Sequence, residues 1–245
     1  MEARKSTAFA VKSRIDTFEN GFIFSYMDFD DPRINKEAII KALNRLKEKG
    51  IIHKFSKGKF YKSDITGNII HAPNESEIIK DLLEKNGQVI GYKTGWRIFN
   101  KNEKENPLSK TIFIGRNDFK PPLERGIYSI KFIVQKNKIT KNNIKLLQVL
   151  DCLRMVRKIQ DSSGDNLFSI IGKAVRKFNK QEKETLLEFA LKYPPSTRAL
   201  LTKIFEVEKI RGNMEALQES LNPISTFNKG LKEIENFFRE KWGIK

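Results

Sequence analysis

Basic and polar side chains recur between residues 36 and 59, and their types are those that bind nucleic acid. Lysine and arginine neutralise backbone phosphates, and an asparagine amide can pair with the edge of an adenine. Glu37 lies among them and would repel phosphate, so the segment is not uniformly cationic. The candidate contacts with double-stranded DNA are Lys36, Lys41, Asn44, Arg45, Lys54, Lys57 and Lys59.

A helix is predicted to carry the first four of these side chains. Ile39, Leu43 and Leu46 follow one another at i, i+4 and i+7, so they share one face of a helix over residues 35–49. The asparagine that begins this segment is a good N-cap, and Gly50 suits the left-handed residue that follows a helix. Lys41, Asn44 and their neighbours then project from the opposite face.

A short hairpin is predicted to carry the remaining lysines. Residues 51–55 form its first strand, residues 56–59 its turn and residues 60–62 its return strand, with Gly58 supplying the freedom of a tight turn. Lys62 adds a fourth positive charge near the tip. The alternative is a solvated helix beside an ordinary hairpin, because lysine-rich surfaces are common.

Elements upstream complete the predicted N-terminal domain. An amphipathic helix is expected over residues 8–18, a short strand over residues 22–24 and a helical stub over residues 26–29. Together with the helix and hairpin that follow, this order predicts a winged helix-turn-helix in residues 1–65, and therefore a regulator rather than an enzyme.

Candidate catalytic and metal-binding residues are few. Asp28, Asp30 and Asp31 could ligate a metal, but a turn and helix-cap role is favoured because no histidine or glutamate completes the set. His53 and His71 are too isolated for a metal cluster or a catalytic triad. Residues 87–94 lack the spacing of a phosphate-binding loop. We expect no catalytic residues, no metal and no cofactor.

The overall composition favours a polyanionic partner. The 245 residues carry a net charge of +17, with an isoelectric point near 9.8. The basic excess is spread over the chain, at 4, 6 and 7 charges in residues 1–75, 76–140 and 141–245. The single cysteine, Cys152, lies in an apolar pattern typical of a core thiol. No membrane span or signal sequence is evident, which favours a cytoplasmic protein.

The rest of the chain is predicted to form a second domain over residues 75–245. Residues 66–74 are predicted as a linker, and Ser76 as the cap of a helix over residues 77–85 that Asn86-Gly87 ends. Strands are expected at residues 88–90, 111–114 and 127–134, with a loop and short helix over residues 91–100 around Trp96 and a Pro121-Pro122 connector. Helices are expected from residue 141 onward, including 168–178, 180–192, 196–208 and 227–242. The fold class is α+β and mostly helical.

Several segments resemble the AbiEi-type antitoxins of type IV toxin–antitoxin, or abortive infection, systems. The resemblance covers most of residues 10–230 and departs from the usual pattern in the charged insert at residues 100–106. Its C-terminal signature includes Tyr193, Pro194, Pro195 and Arg198. The remaining matching segments are residues 42–52, 55–62, 86–87, 91–95 and 219–225.

The resemblance implies a bacterial antitoxin that represses its own operon and is linked to phage defence. Its N-terminal winged helix would bind inverted repeats in the promoter, which suggests two copies per site. A mixed α/β C-terminal domain would counteract a nucleotidyltransferase-like toxin, without necessarily forming a stable complex with it. Two alternatives remain: a stand-alone regulator whose C-terminal domain senses a ligand or dimerises, and an RNA-binding or nucleic-acid-processing enzyme.

Overall fold

The computed structural model describes residues 6–29, 35–63, 65–66, 69–70, 73–99, 110–155 and 164–221. The chain divides into two compact units, and it combines helices with several small sheets. The first unit groups residues 1–81 with residues 124–128, and the second groups residues 82–123 with residues 129–245. The mixed α/β composition confirms the coarse fold class.

The first unit contains the helices and strands that the sequence predicts for residues 8–62. In chain order they are α1 (Thr7–Asp16), β1 (Ile23–Ser25), a 3-10 turn (Tyr26–Asp28), α2 (Lys36–Glu48), β2 (His53–Ser56) and β3 (Lys59–Tyr61). The strands form one antiparallel sheet in the order β1-β3-β2, with Phe24 opposite Phe60. The hairpin starts two residues later than predicted, at His53.

Both ends of α2 follow from the residues that were predicted to set them. The Asn35 side chain accepts a hydrogen bond of 2.9 Å from the backbone N–H of Glu37, which caps the first turn. Gly50 adopts a left-handed φ of 69° just beyond the last turn. The face that contains Ile39, Ala42 and Leu43 is buried.

An aromatic-rich core holds this unit together. Phe18 packs against Phe22 and Phe24, with ring centroids 4.9 and 5.1 Å apart. These contacts join the end of α1 to β1, and Phe60 of β3 continues the core toward the hairpin. The buried members are Val11, Ile15, Phe24, Phe29, Ile39, Ala42, Leu43, Ile52 and Phe60.

Residues 66–74 were wrongly predicted to be only a linker. The strands β4 (Ile65–Thr66) and β5 (Ile69–Ile70) pair antiparallel. Two-residue strands show no alternation along the sequence, so periodicity cannot detect them.

The helix that follows is α3 (Glu75–Leu83), and its cap differs from the predicted Ser76. The Asn74 side chain accepts a hydrogen bond of 2.9 Å from the N–H of Glu77. The helix ends at Leu83, two residues earlier than predicted, and Asn86-Gly87 has a different role from the predicted helix stop. These two residues have φ of 51° and 73° and form the tight turn between β6 (Glu84–Lys85) and β7 (Gln88–Val89).

The second unit contains a sheet with the order β11-β9-β8. Its strands are β8 (Gly91–Thr94), β9 (Thr111–Arg116) and β11 (Tyr128–Val134). β9 and β11 are parallel, whereas β8 runs antiparallel to β9. The prediction of a loop at residues 91–94 was therefore wrong, although the short helix around Trp96 is confirmed as a 3-10 turn (Trp96–Ile98). The connector after Pro121-Pro122 contains an unpredicted strand, β10 (Leu123–Arg125).

A helical bundle packs in the same unit. Its helices are α4 (Ile144–Met155), α5 (Gly164–Arg176), α6 (Lys180–Ala190), α7 (Pro195–Val207) and α8 (Glu215–Glu219). Cys152 is fully buried among leucines and isoleucines, which confirms a core thiol. The predicted helix over residues 227–242 and the insert at residues 100–106 lie outside the described residues. No described helix is long and apolar enough to cross a membrane.

Candidate functional site

The predicted nucleic-acid contacts on α2 share its solvent-facing side. Lys36, Lys41, Asn44 and Arg45 are all exposed, whereas the residues of the opposite face are buried. The same surface presents Glu37, Glu48 and Ile40, whose side chain is 37% exposed. The helix therefore offers a mixed surface of hydrogen-bond donors, acceptors and one apolar group. Lys36 also lies 4.4 Å above the ring of Tyr26.

Two of the hairpin lysines extend into solvent. Lys57 lies in the turn beside Gly58, whose φ is 72°, and Lys54 lies on β2. Both side chains are exposed, and neither forms an ion pair with a described residue. Their charges are therefore available to an external phosphate. We name Lys41, Asn44, Arg45, Lys54 and Lys57 the α2–hairpin surface.

Lys59 differs from its neighbours because it is paired within the unit. Its Nζ lies 2.5 Å from Oδ2 of Asp81, and Arg125 bonds to both oxygens of the same carboxylate. Burial alone would raise the pKa of Asp81, but the hydrogen bonds from Arg125 and Lys59 outweigh it and lower that pKa. The carboxylate is thus held ionised, and it holds Lys59 in an ion pair while sharing its single negative charge with Arg125.

Lys62 and His53 also have local roles. Lys62 Nζ donates to the carbonyl oxygens of Asp16 and Phe18, at 3.3 and 3.4 Å, so it closes the end of α1 rather than reaching the hairpin tip. The His53 ring lies 5.4 Å from that of Tyr61 and is half-buried.

The acidic cluster predicted for a turn contributes one helix cap. Oδ2 of Asp28 accepts from the N–H of Ser25 at 2.7 Å and from its hydroxyl at 3.2 Å, which confirms the capping role for that residue. Asp30 and Asp31 lie outside the described residues, as does His71. Among described residues, no group of three potential metal-binding side chains comes together.

A second polar constellation lies in the core of the other unit. Asp151 of α4 is fully buried, and its carboxylate accepts three hydroxyl hydrogen bonds. The donors are Tyr92 at 2.6 Å, Tyr193 at 2.8 Å and Thr94 at 3.0 Å. Three such bonds compensate for much of the hydration that the charge loses on burial.

Gln135 joins the two tyrosines of this constellation. Its Nε2 donates to the hydroxyls of Tyr193 and Tyr92, at 2.5 and 2.9 Å, so each phenol oxygen accepts one hydrogen bond while its own O–H donates another to Asp151. Oε1 of Gln135 accepts from the N–H of Asn137. We name Tyr92, Thr94, Gln135, Asp151 and Tyr193 the Asp151 cluster. It connects β8, the end of β11, α4 and the α6–α7 junction.

Burial determines the protonation of the Asp151 cluster. It raises the pKa of Asp151, although the hydrogen bonds from Tyr92, Tyr193 and Thr94 oppose that shift. The pKa values of Tyr92 and Tyr193 are also raised, by burial and then by the neighbouring Asp151 charge. Both phenols therefore stay protonated and act as donors to the carboxylate.

Gly115 on β9 makes room for one of these tyrosines. It pairs directly with Tyr92 across the sheet, and the tyrosine side chain lies over it. A Cβ at this position would lie within 2.7 Å of three atoms of the Tyr92 side chain. The position of Tyr92 in the cluster therefore requires a residue without a side chain at position 115.

The four residues that the sequence predicts as a C-terminal signature lie at the α6–α7 junction. Tyr193 belongs to the Asp151 cluster, Pro194 precedes α7, and Pro195 is its first residue. Arg198 is half-buried in the first turn, and its Nε has no hydrogen-bond partner among described residues. At least Tyr193 therefore has a structural role that the sequence comparison alone did not assign.

Sequence reasoning missed the Asp151 cluster as a unit. The available signal was Asp151 itself, a carboxylate within a run of Leu, Val and Cys on a helix that is buried on nearly all sides. A charged residue in such a run requires internal partners. Its partners are distant in sequence, at positions 92, 94 and 193, so spacing could not identify them.

No protein-family model matches the chain, and comparison with curated proteins gives no match.

Proposed function

We propose that the protein is a DNA-binding antitoxin and transcriptional autorepressor of a bacterial toxin–antitoxin operon. The observation that carries this proposal is the α2–hairpin surface. It places an exposed polar helix face in the same compact unit as hairpin lysines that have no ion-pair partner among the described residues. Such a combination matches what duplex DNA requires, namely base edges read by a helix and phosphates neutralised nearby.

The order of elements supports a winged helix-turn-helix in residues 1–65. A helix, a short strand, a helical turn, a second long helix and a two-stranded hairpin follow one another, and the sheet has the order β1-β3-β2. In that arrangement α2 is the recognition helix and the β2–β3 hairpin is the wing.

The surroundings of each side chain indicate whether it would contact a base or a phosphate. Asn44 is exposed at the middle of α2 and suits an adenine edge, while Ile40 suits a thymine methyl group. Lys41, Arg45, Lys54 and Lys57 suit phosphates. Lys59 supports the hairpin through Asp81, and its contribution to DNA affinity is correspondingly small.

The second unit is proposed as the antitoxin domain. This assignment comes from the resemblance to AbiEi-type antitoxins, whose C-terminal signature falls at the α6–α7 junction. The functional partner is then a nucleotidyltransferase-like toxin encoded by the neighbouring gene. Two copies of the protein are expected on the inverted repeats of the promoter, in the cytoplasm.

A titration against DNA tests the proposal. The purified protein is titrated with the duplex from upstream of its own gene and with a random duplex of equal length, at two salt concentrations. We expect the upstream duplex to bind at least about a thousandfold more tightly. Equal, weak and salt-sensitive binding to both duplexes would reject an autorepressor.

Asn44→Ala tests the proposed base recognition. We expect it to weaken binding to the upstream duplex by about tenfold, since a bidentate contact to a base contributes roughly 1–3 kcal/mol of discrimination. Binding to the random duplex should be unchanged. Equal losses on both duplexes would place Asn44 outside any base contact.

The second candidate is a stand-alone regulator whose C-terminal unit senses a ligand. A cleft beside the Asp151 cluster favours it, because ligand-sensing requires such a cavity. The identity of the neighbouring gene separates the candidates: only the first requires a nucleotidyltransferase-like toxin there.

A further inference from the structure

The second unit contains an open cleft of about 500 Å³ at the carboxyl end of β11. One side consists of the residues that follow the strand, another is the end of α4, and the third is the α6–α7 junction. Its lining residues are Val134, Gln135, Lys136, Arg154 and 191–195. In open, mostly parallel sheets, ligands bind outside the carboxyl ends of the strands. This cleft has the corresponding place beside β11, which is parallel to β9.

The charged side chains that line the cleft within the described part of the chain are all basic. Lys136, Arg154 and Lys192 line it from three different segments, and all three side chains are exposed. None of them forms an ion pair with a described residue. Among the described residues, no acidic side chain lines the cleft. Asp151, one turn before Arg154, interacts electrostatically with that arginine, but it is fully buried and its carboxylate faces three hydroxyls. Converging cations from separate elements favour a ligand with several negative charges.

Apart from Gln135 and Tyr193, the remaining lining residues of the cleft are apolar. Val134 and Leu191 are 43% and 38% exposed, and Pro194 and Pro195 add flat aliphatic surface. A simple anion would leave these groups in water, whereas a ligand with a flat ring beside its anionic groups would cover them. The volume also falls within the range of roughly 300–1,000 Å³ that is typical of small-molecule sites.

We propose that this cleft binds a nucleoside polyphosphate. The phosphates contact Lys136, Arg154 and Lys192, and the base lies against Leu191 and Pro194. The rigid wall beneath the ligand is Tyr193, which the Asp151 cluster fixes in place. This binding goes beyond DNA recognition and gives the second unit a ligand of its own.

Calorimetric titration with ATP, adenosine and inorganic triphosphate tests the chemistry of the site. ATP is expected to bind at least tenfold more tightly than either fragment, because only ATP occupies both the cationic and the apolar walls. Triphosphate binding as tight as ATP would overturn the role of the apolar wall. Absence of ATP binding at millimolar concentration would overturn the proposal entirely.

Substitutions then test the location. Arg154→Ala and Lys192→Ala are each expected to weaken ATP binding on the order of tenfold, through loss of one charge-assisted contact. Lys180→Ala is the matched control, since Lys180 is an exposed lysine of the same unit that does not line the cleft. Equal affinity in all variants, with unchanged melting temperatures, would place the binding elsewhere. DNA binding measured on the same variants should be unaltered, which separates this proposal from that of the first unit.

Discussion

The α2–hairpin surface and the Asp151 cluster use polar residues in opposite environments. Lys54 and Lys57 are surrounded by water and have no ion-pair partner among described residues. Asp151 is fully excluded from water, and each of its oxygens accepts at least one hydroxyl hydrogen bond. The exposed lysines can therefore contact a partner outside the chain. The Asp151 carboxylate instead forms its hydrogen bonds with side chains inside the fold.

Because of this difference, substitutions in the first region should change ligand binding, and substitutions in the second should change the free energy of unfolding. Removing an exposed, unpaired charge barely alters folding but removes a contact with an external anion. Removing a buried, fully bonded charge leaves its former partners without acceptors inside the core. Substitutions in the two regions should therefore affect different measurements, and the following experiments test that separation.

Asp151→Ala is expected to have the largest effect on stability. It leaves the Tyr92, Tyr193 and Thr94 hydroxyls without their acceptor, so the free energy of unfolding should fall by about 3 kcal/mol or more. Urea denaturation followed by circular dichroism measures this change. Asp118→Ala is the control: its carboxylate pairs with Arg116 but is half exposed, and about 1 kcal/mol or less is expected. A similar loss of unfolding free energy in both variants would contradict the claim that burial makes the Asp151 hydrogen bonds more important for stability.

Gly115→Ala tests the same cluster from the opposite strand. The new methyl group would meet the Tyr92 side chain and displace it from Asp151, at a cost of roughly 1–3 kcal/mol. Gly126→Ala is the comparison, because Gly126 has a φ of 58° but open space around it and tests backbone strain alone. An unchanged free energy of unfolding in Gly115→Ala would mean that stability does not depend on the present position of Tyr92.

The protonation of Asp151 should make the free energy of unfolding depend on pH. Because burial raises its folded-state pKa above the unfolded value of about 3.9, the folded chain holds this proton over a pH range where the unfolded chain has lost it. The free energy of unfolding of the wild type, relative to Asp151→Asn, should therefore fall as pH rises from about 4 through the folded pKa. Urea denaturation of both proteins across pH 4–8 measures it. A relative stability that rises with pH would contradict a raised pKa.

Local signals in the sequence predicted much of the first unit. Asn35, Gly50 and the spacing of Ile39 and Leu43 determine α2 through contacts within one helix, so its bounds were nearly correct. The strands β4 and β10 were missed because they contain only two and three residues and show no clear alternation. The strand β8 was missed because it becomes a strand by pairing with β9, which begins at Thr111.

The same distinction applies to the candidate sites. Exposed lysines in a hairpin can be recognised from the sequence, since their function needs only local order. The pairing of Lys59 with Asp81, 22 residues away, could not be recognised, and neither could the partners of Asp151. Both depend on tertiary contacts that no spacing rule encodes.

The salt dependence of DNA affinity tests the central claim most directly. Binding of the upstream duplex is measured between 50 and about 200 mM salt for the wild type, for Lys54→Ala/Lys57→Ala and for Lys59→Ala. The double variant removes two free cations, so the slope of log affinity against log salt should become shallower by about 1.8. Lys59→Ala, which removes a lysine already paired with Asp81, should change that slope much less. An unchanged slope in the double variant would contradict a phosphate contact through the hairpin, and with it the proposed DNA-binding surface.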